Sequence, residues 1–350
     1  MHLYYLPFFV VLISGIQCTY DYYAQMYPPE DDYSYAHAFF SASAANCAPE
    51  CNCPSNYPTA MYCNELKLKS IPVIPSGIKY LYLQNNQIES IEDNTFDNVT
   101  DLQWLIMDYN HLSNAKIQKN AFSKLKQLKK LHINFNNLTE PVGPLPKTMT
   151  DLQFAHNQIS KITPNVLEGL VNVTMIDLQH NDLKDDSIAG AFKGLNSLEH
   201  LDLSFNKLTK VPLGLPASLQ ILYLDNNQIT SIPNDYFQGF QSIKYFRLSH
   251  NKLADAGVPG NLFNVSSLLE LDLSFNELNS IPTVNEGLEN LYLQANNINK
   301  VKVSSFCKTI GPLEYSRIKH LRLDGNNITQ AEVPQEIHTC LRQASEIDLV

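Results

Sequence analysis

Eleven times between residues 78 and 328 the chain returns to one pattern, L-x-x-L-x-L-x-x-N-x-L/I. Its asparagines are Asn86, Asn110, Asn136, Asn157, Asn181, Asn206, Asn227, Asn251, Asn276, Asn296 and Asn326. One copy reads Leu198, Leu201, Leu203, Asn206, Leu208, and the next reads Leu219, Leu222, Leu224, Asn227, Ile229. A half-copy, Ile347-x-Leu349, closes the chain. The L-x-L step has period 2, so it predicts a short strand with its leucines turned inward and the x residues outward. One coil cannot bury its leucines alone. Stacked coils can, and this predicts a solenoid whose strands form a parallel sheet. Each asparagine falls where the chain leaves the strand, and its amide both donates and accepts, so it suits otherwise unpaired backbone groups of adjacent coils. These asparagines are expected to be scaffold.

The pattern is similar to the leucine-rich repeat, and the fold class expected is an α/β-type repeat solenoid, a horseshoe with a parallel concave β-sheet. By subtraction the asparagines lie 24, 26, 21, 24, 25, 21, 24, 25, 20 and 30 residues apart, so two long copies and a short one recur three times. Long copies carry Phe before a Gly turn, as in Phe192-Lys193-Gly194 and Phe237-Gln238-Gly239, and are expected to fill the convex side. Short copies carry Leu215-Pro216 or Ile281-Pro282, which suits extended backbone. The final 30-residue step holds Cys307 and is expected to bulge outward, with Cys340 in the following repeat.

The net charge of −10 speaks against nucleic-acid binding, which needs a basic stripe, and favours basic partners. Residues 1–18 read as a signal peptide: Leu3 to Ile16 is almost wholly apolar and too short to span a bilayer. No later segment is apolar for long enough to cross a membrane, so a secreted, extracellular protein is expected. Six cysteines then remain, Cys47, Cys51, Cys53, Cys63, Cys307 and Cys340, an even number suited to disulfides at the two ends of an elongated domain. A zinc site is the rival for the first four, but Cys51-x-Cys53 is tighter than the usual two-residue gap. The sequence alone leaves their pairing open among three connectivities. The organisation expected is signal peptide 1–18, tail 19–46, cysteine cap 47–65 and repeats with a C-terminal cap over 66–350.

Cys47-x3-Cys51-x-Cys53-x9-Cys63, the long-long-short repeats, a late elongated repeat with two cysteines, and the stretches CAPECNCP, ENLYLQ and IKHLRLDGN together resemble the small leucine-rich proteoglycans, in particular their keratan-sulfate class. The resemblance covers about the whole mature chain. It implies disulfides Cys47–Cys53, Cys51–Cys63 and Cys307–Cys340, a C-terminal "ear" repeat, and an extracellular-matrix protein that binds fibrillar collagen and limits fibril diameter and spacing. It also implies N-linked chains, extended to keratan sulfate, at Asn98, Asn137, Asn172 and Asn264; a fifth sequon, Asn327, departs from the family pattern. All five fall in turns or convex segments, where a bulky glycan fits. The only Ser-Gly pair outside the signal, Ser76-Gly77, lacks acidic neighbours and does not suit chondroitin-type attachment.

Residues 19–46 carry Asp21, Glu30, Asp31 and Asp32 with no Lys or Arg, and are rich in tyrosine. This composition predicts a disordered tail. Tyrosine sulfation, implied by the resemblance and favoured at Tyr20, Tyr22, Tyr23 and Tyr33, would turn it into a polyanion for basic matrix or signalling proteins.

The outward strand positions select Asp177, Asp202, Tyr223, Asp225, Tyr245, Arg247 and Asp272 as collagen-binding residues: exposed carboxylates to meet lysine and arginine, rings to lie on prolines. Trp104, Lys130, His132, Asp151, Glu270, Tyr292, Arg322 and Asp324 share that face. The same face could serve a homodimer. No cofactor or metal is expected, and no catalytic motif is present: neither nucleophile elbow, P-loop, dinucleotide fingerprint nor H-E-x-x-H. His156, His180 and His250 stand just before repeat asparagines and read as turn residues. The competing function is a recognition protein for innate-immune or signalling ligands, since leucine-rich ectodomains also serve that purpose.

Overall fold

The computed structural model describes residues 47–309 and 315–349; the signal segment and the tail with its candidate sulfotyrosines lie outside the described residues. Thirteen strands of three residues each, from β1 (Ala60–Tyr62) to β13 (Glu346–Asp348), form one parallel sheet in strict chain order. Every strand pairs in register with the next, so the middle residue of each lies beside its equivalent: Leu81, Leu105, Leu131, Leu152 and so on to Leu321. These middle residues are fully buried from Met61 to Leu321. The alternation of the L-x-L step is what places them there.

The asparagines lock coil to coil. Asn206 is typical: Nδ2 donates to the carbonyls of Leu178, Leu203 and Ser204 at 3.0, 3.1 and 3.1 Å, and Oδ1 accepts the Leu183 N–H at 3.0 Å. Two of those partners belong to the preceding coil. The residue before each repeat asparagine has a positive φ, from Asn85 at 57° to Ala295 at 53°, and Gly325 closes the series at 69°. This left-handed kink costs an L residue some free energy, and the buried amide that follows it offsets the cost.

A second periodicity runs over three repeats. Asn114, Asp185 and Asp255 each open a 3-10 turn in a long coil and accept backbone N–H groups of the short coil that follows. Asp185 Oδ1 takes Thr209 and Lys210 N–H at 2.9 and 3.2 Å; Asp255 Oδ1 takes Asn279 and Ser280 N–H at 2.8 and 3.3 Å. The prolines of the short coils leave that side without its own turn, and the long neighbour supplies the acceptor. Within the coil Phe237 packs edge to face on Phe246 of the strand and on Phe263, with centroids 5.0 and 6.0 Å apart, and Phe246 lies tilted to Phe263 at 6.4 Å.

Gly257 sits in the last of these turns. A methyl group there would lie 2.0 Å from the Thr230 carbonyl oxygen. That oxygen belongs to backbone and cannot swing aside, so Gly257→Ala is expected to cost about 2 kcal/mol. Urea denaturation of the variant checks it; an unchanged midpoint would mean the coils slide freely.

Both ends are stapled. Cys47–Cys53 and Cys51–Cys63 close the N-terminal cap over β1, and Cys307–Cys340 ties the 30-residue coil to the next. Cys307 and Cys340 are buried, as are Cys53 and Cys63.

Candidate ligand-binding face

The first and third residues of each strand, and the residue two further on, turn to the concave side. Their charge is unevenly distributed. Near the N-terminal end, Lys130 lies 4.7 Å over the Trp104 ring and 3.5 Å from Asp151, and His132 Nε2 approaches the same carboxylate at 3.3 Å. Burial alone would raise the Asp151 pKa, but His132 and Lys130 outweigh it and the net shift is downward. Asp108 accepts the Asn134 N–H at 2.7 Å, and burial pushes its pKa up to about 6.

Toward the C-terminal half, β8 (Ile221–Tyr223), β9 (Tyr245–Arg247) and β10 (Glu270–Asp272) place Arg247 between two carboxylates. Its Nε is 3.1 Å from Asp225 Oδ2 and its terminal nitrogen 3.8 Å from Asp272 Oδ2, with the guanidinium 5.1 Å from the centre of the Tyr223 ring. Burial works against the arginine's charge; Asp225 and Asp272 more than restore it. Asp225 is also tied by the Ser249 N–H at 2.7 Å, and Asp272 accepts both the N–H and the hydroxyl of Ser274, at 2.9 and 2.6 Å.

Between these two clusters lies a pair without a cation. In β6 (Met175–Asp177) and β7 (His200–Asp202), Asp177 and Asp202 are direct register partners. Asp177 accepts the backbone and side-chain N–H groups of Gln179 at 3.0 and 3.1 Å, and Asp202 accepts the Ser204 N–H at 2.8 Å. Among the described residues, neither forms an ion pair with a lysine or arginine, since Arg247 is committed to Asp225 and Asp272. Burial pushes Asp177 up to about 6; burial and then the charge of Asp177 push Asp202 up to about 7. Burial also raises Asp225 to about 7, against the pull of Arg247. Beside them His200 meets the Tyr223 ring edge-on at 5.4 Å, and burial holds its pKa down near 4, so it stays neutral.

The structure therefore gathers the seven residues selected from the pattern onto one face, but it changes their character. The sequence places the aspartates as exposed groups. Instead Asp177, Asp225 and Asp272 are almost fully covered, and Asp202, Tyr223, Tyr245 and Arg247 are half-buried. The cause is local: each carboxylate bends back onto the backbone N–H two residues on, or onto that of the next coil. Asp225 and Asp272 are spent largely on Arg247, while Asp177 and Asp202 have no lysine or arginine partner among the described residues. Among the described residues no cluster of three or more His, Cys, Asp or Glu is arranged to hold a metal.

One feature of the rim was missed by the strand-based reading. The positive-φ residues stack: Tyr109, Phe135, His156, His180 and Phe205 form a continuous ladder with ring centroids 3.9 to 4.1 Å apart, and His250 stacks on Phe275 at 4.0 Å. Burial in the stack, and the neighbouring His180, push the His156 pKa down to about 4. The signal was available as a column of rings at the residue preceding each repeat asparagine. All five sequon asparagines are exposed; Asn172 Nδ2 donates to the Lys147 carbonyl and Asn264 Oδ1 accepts from Asn285, each at 2.9 Å.

Comparison with known proteins agrees with this geometry. The leucine rich repeat family matches residues 76–138, 197–217 and 217–278, and the leucine rich repeat N-terminal domain matches residues 46–75. The chain is 69% identical to lumican of Coturnix japonica over 98% of both chains. It is 46% identical to human fibromodulin over 87% of this chain and 80% of that protein. A chain of the solved octameric complex of Latrophilin 3, Unc5D and FLRT2 superposes with a TM-score of 0.66 at 27% identity, covering 86% of this chain and 83% of the other.

Proposed function

From the premise that the chain belongs to the lumican family of extracellular-matrix small leucine-rich proteoglycans, we propose that it binds fibrillar collagen through its concave face and regulates fibril assembly, diameter and spacing. Proteins of this family are structural, not catalytic. The observation that carries the proposal is the cation-free carboxylate pair Asp177 and Asp202, flanked by the ring of Tyr223. A collagen triple helix offers complementary chemistry: lysine and arginine side chains on a rod of proline rings. An incoming ammonium or guanidinium group would offset the burial that lifts both pKa values and the charge of Asp177 that lifts Asp202 further. Secretion by way of residues 1–18, a sulfated tail over 19–46, and glycans extended to keratan sulfate at Asn98, Asn137, Asn172 and Asn264, with Asn327 as a fifth acceptor, belong to the same proposal.

The raised carboxylates make binding pH-dependent with a defined sign. As pH falls through 7 and then 6, Asp202, Asp225 and Asp177 take up protons and cease to attract a cation. Affinity for a triple-helical peptide containing Lys and Arg but no His, Asp or Glu is expected to fall about tenfold between about pH 7.5 and 5.5, one pKa unit being worth about 1.4 kcal/mol. Near pH 6.5 binding should release protons, since the bound cation lowers the carboxylate pKa values. Calorimetry in two buffers of different ionisation enthalpy measures that release, and zero linked protons would remove the carboxylate pair from the contact. For stability the sign is the opposite. The unfolded carboxylates titrate near their ordinary values, so this cluster favours folding most below about pH 4 and loses that contribution as pH rises through 7.

A further inference from the structure

Seven lysines fall within residues 109–150, where Glu140 is the one carboxylate, so this stretch carries a net +6 inside a chain of net −10. Two of the seven are neutralised elsewhere: Lys116 pairs with Glu89 and Lys130 with Asp151. Lys124, Lys126, Lys129 and Lys147 are exposed, and among the described residues none of them has a carboxylate within ion-pair distance. They lie on the flank that leads into the strands, outside the concave face, since Lys129 immediately precedes β4 (Lys130–His132).

The backbone beneath these lysines is fixed. Thr148 Oγ1 donates to the carbonyls of Lys126 and Leu128 at 3.1 and 2.7 Å, and Thr150 N–H and Oγ1 donate to that of Lys129 at 2.8 and 3.1 Å. Asn172 Nδ2 holds the Lys147 carbonyl at 2.9 Å. Two successive coils thus present their charges from a surface braced by the coil that follows each. Further along the same flank the lysines are occupied: Lys244 donates to Gln220 at 2.9 Å, and Lys319 pairs with Glu289 at 2.7 Å. Asp101 in the preceding coil and Glu168 in the following one bound the patch without pairing with it.

We propose that Lys124, Lys126, Lys129 and Lys147 form a binding site for a sulfated glycosaminoglycan chain. Lysine is a compact point charge that reads charge density and not a particular fork geometry, which suits a flexible polymer of sulfates. The exposed aromatic residues Tyr57, Tyr109 and Phe275 lie outside the patch, so the stacking platform that single-stranded nucleic acid requires is lacking there. Because the patch and the concave face are different surfaces, a polyanion and a collagen-like rod can be held at the same time. This proposal stands independently of the collagen reading.

The probe is immobilised heparin, with the full secreted chain applied at about 0.1 M salt. The wild-type protein is expected to be retained despite its acidic net charge. The K124Q/K126Q/K129Q/K147Q variant should lose about tenfold or more in affinity, since fewer counterions are released. A control with the same change in charge, K184Q/K193Q/K207Q/K210Q, should lose less than about threefold. Equal losses in the two variants, or no retention of the wild type, would overturn the site. So would a single-stranded oligonucleotide of matched charge binding as tightly as heparin. A tenfold or so gain in heparin affinity for D21N/E30Q/D31N/D32N would also overturn it, showing the lysines to be covered by the chain's own acidic segment. Matching thermal transitions for all variants confirm that the fold is intact.

Discussion

Asn206→Ala is expected to lower the stability of the protein by about 3 kcal/mol or more, the largest single-residue effect outside the leucine core. The substitution removes four hydrogen bonds at once: the Leu183 N–H loses its acceptor, and the carbonyls of Leu178, Leu203 and Ser204 each lose one of two donors, keeping Asn181, Asn227 and the His180 N–H. Asn206 is 7% exposed, so water cannot replace the amide without entering the sheet edge. One buried unsatisfied backbone group costs about 1–3 kcal/mol and each of the other three lost hydrogen bonds about 0.5–1.5 kcal/mol, and two of the four bridge to the neighbouring coil. Asn206→Asp should be nearly as damaging, because a carboxylate still accepts from Leu183 but offers no donor to three carbonyls. The damage should also uncouple the halves of the solenoid, since each coil is held only by its neighbours. Urea unfolding followed by circular dichroism should show a lower midpoint and a shallower or two-step transition. A loss below about 1 kcal/mol would mean that the asparagine ladder is ornamental.

The second large effect joins stability to function with opposite signs. Replacing both Asp177 and Asp202 by asparagine is expected to raise the melting temperature while weakening collagen binding about tenfold or more. Both carboxylates are lifted toward neutral pH, Asp202 in part by the charge of Asp177 across the strand pair. Removing that repulsion favours the folded state at pH 7.5. Asparagine keeps the carbonyl oxygen that accepts the Gln179 and Ser204 N–H groups, so local geometry survives. Asp225→Asn is a different experiment. It weakens the Arg247 ion pair and leaves a half-buried guanidinium with Asp272 alone, so a loss of binding there would be mixed with a loss of structure. The measurement is the lag and plateau of collagen fibril assembly by turbidity, together with direct binding. Were the Asp177/Asp202 double variant to retard assembly as well as the wild type, the concave acidic pair could not be the collagen contact.

The coils were legible in the sequence because a coil is defined within about ten residues. Leu198, Leu201, Leu203 and Asn206 announce an inward strand and its exit wherever they occur, and the structure repeats that unit at every copy. The candidate face was legible only as a set of positions. Reading Asp177, Asp202, Asp225 and Asp272 as equivalent exposed acids follows from strand periodicity, which sees direction but not company. Arg247 divides them: it joins Asp225 and Asp272 and leaves Asp177 and Asp202 alone. The ring ladder from Tyr109 to Phe205 escaped for the same reason, since its members stand 21 to 26 residues apart and touch only after stacking.

Sequence alone thus determined the eleven repeats and the terminal strand, the buried leucines, the asparagine ladder and the cysteine-rich ends, all of which depend on local period and residue type; the thirteenth strand, β1 in the cysteine cap, came only with the structure. Tertiary structure alone decided which charges are paired, which are buried and which are open. Those properties depend on contacts at about 5 Å between residues one coil apart, and on water excluded by neighbours that no short window of sequence contains. Hence four lysines that look ordinary in the sequence become an unpaired patch, and four similar aspartates become two that pair with Arg247 and two with no cation beside them among the described residues.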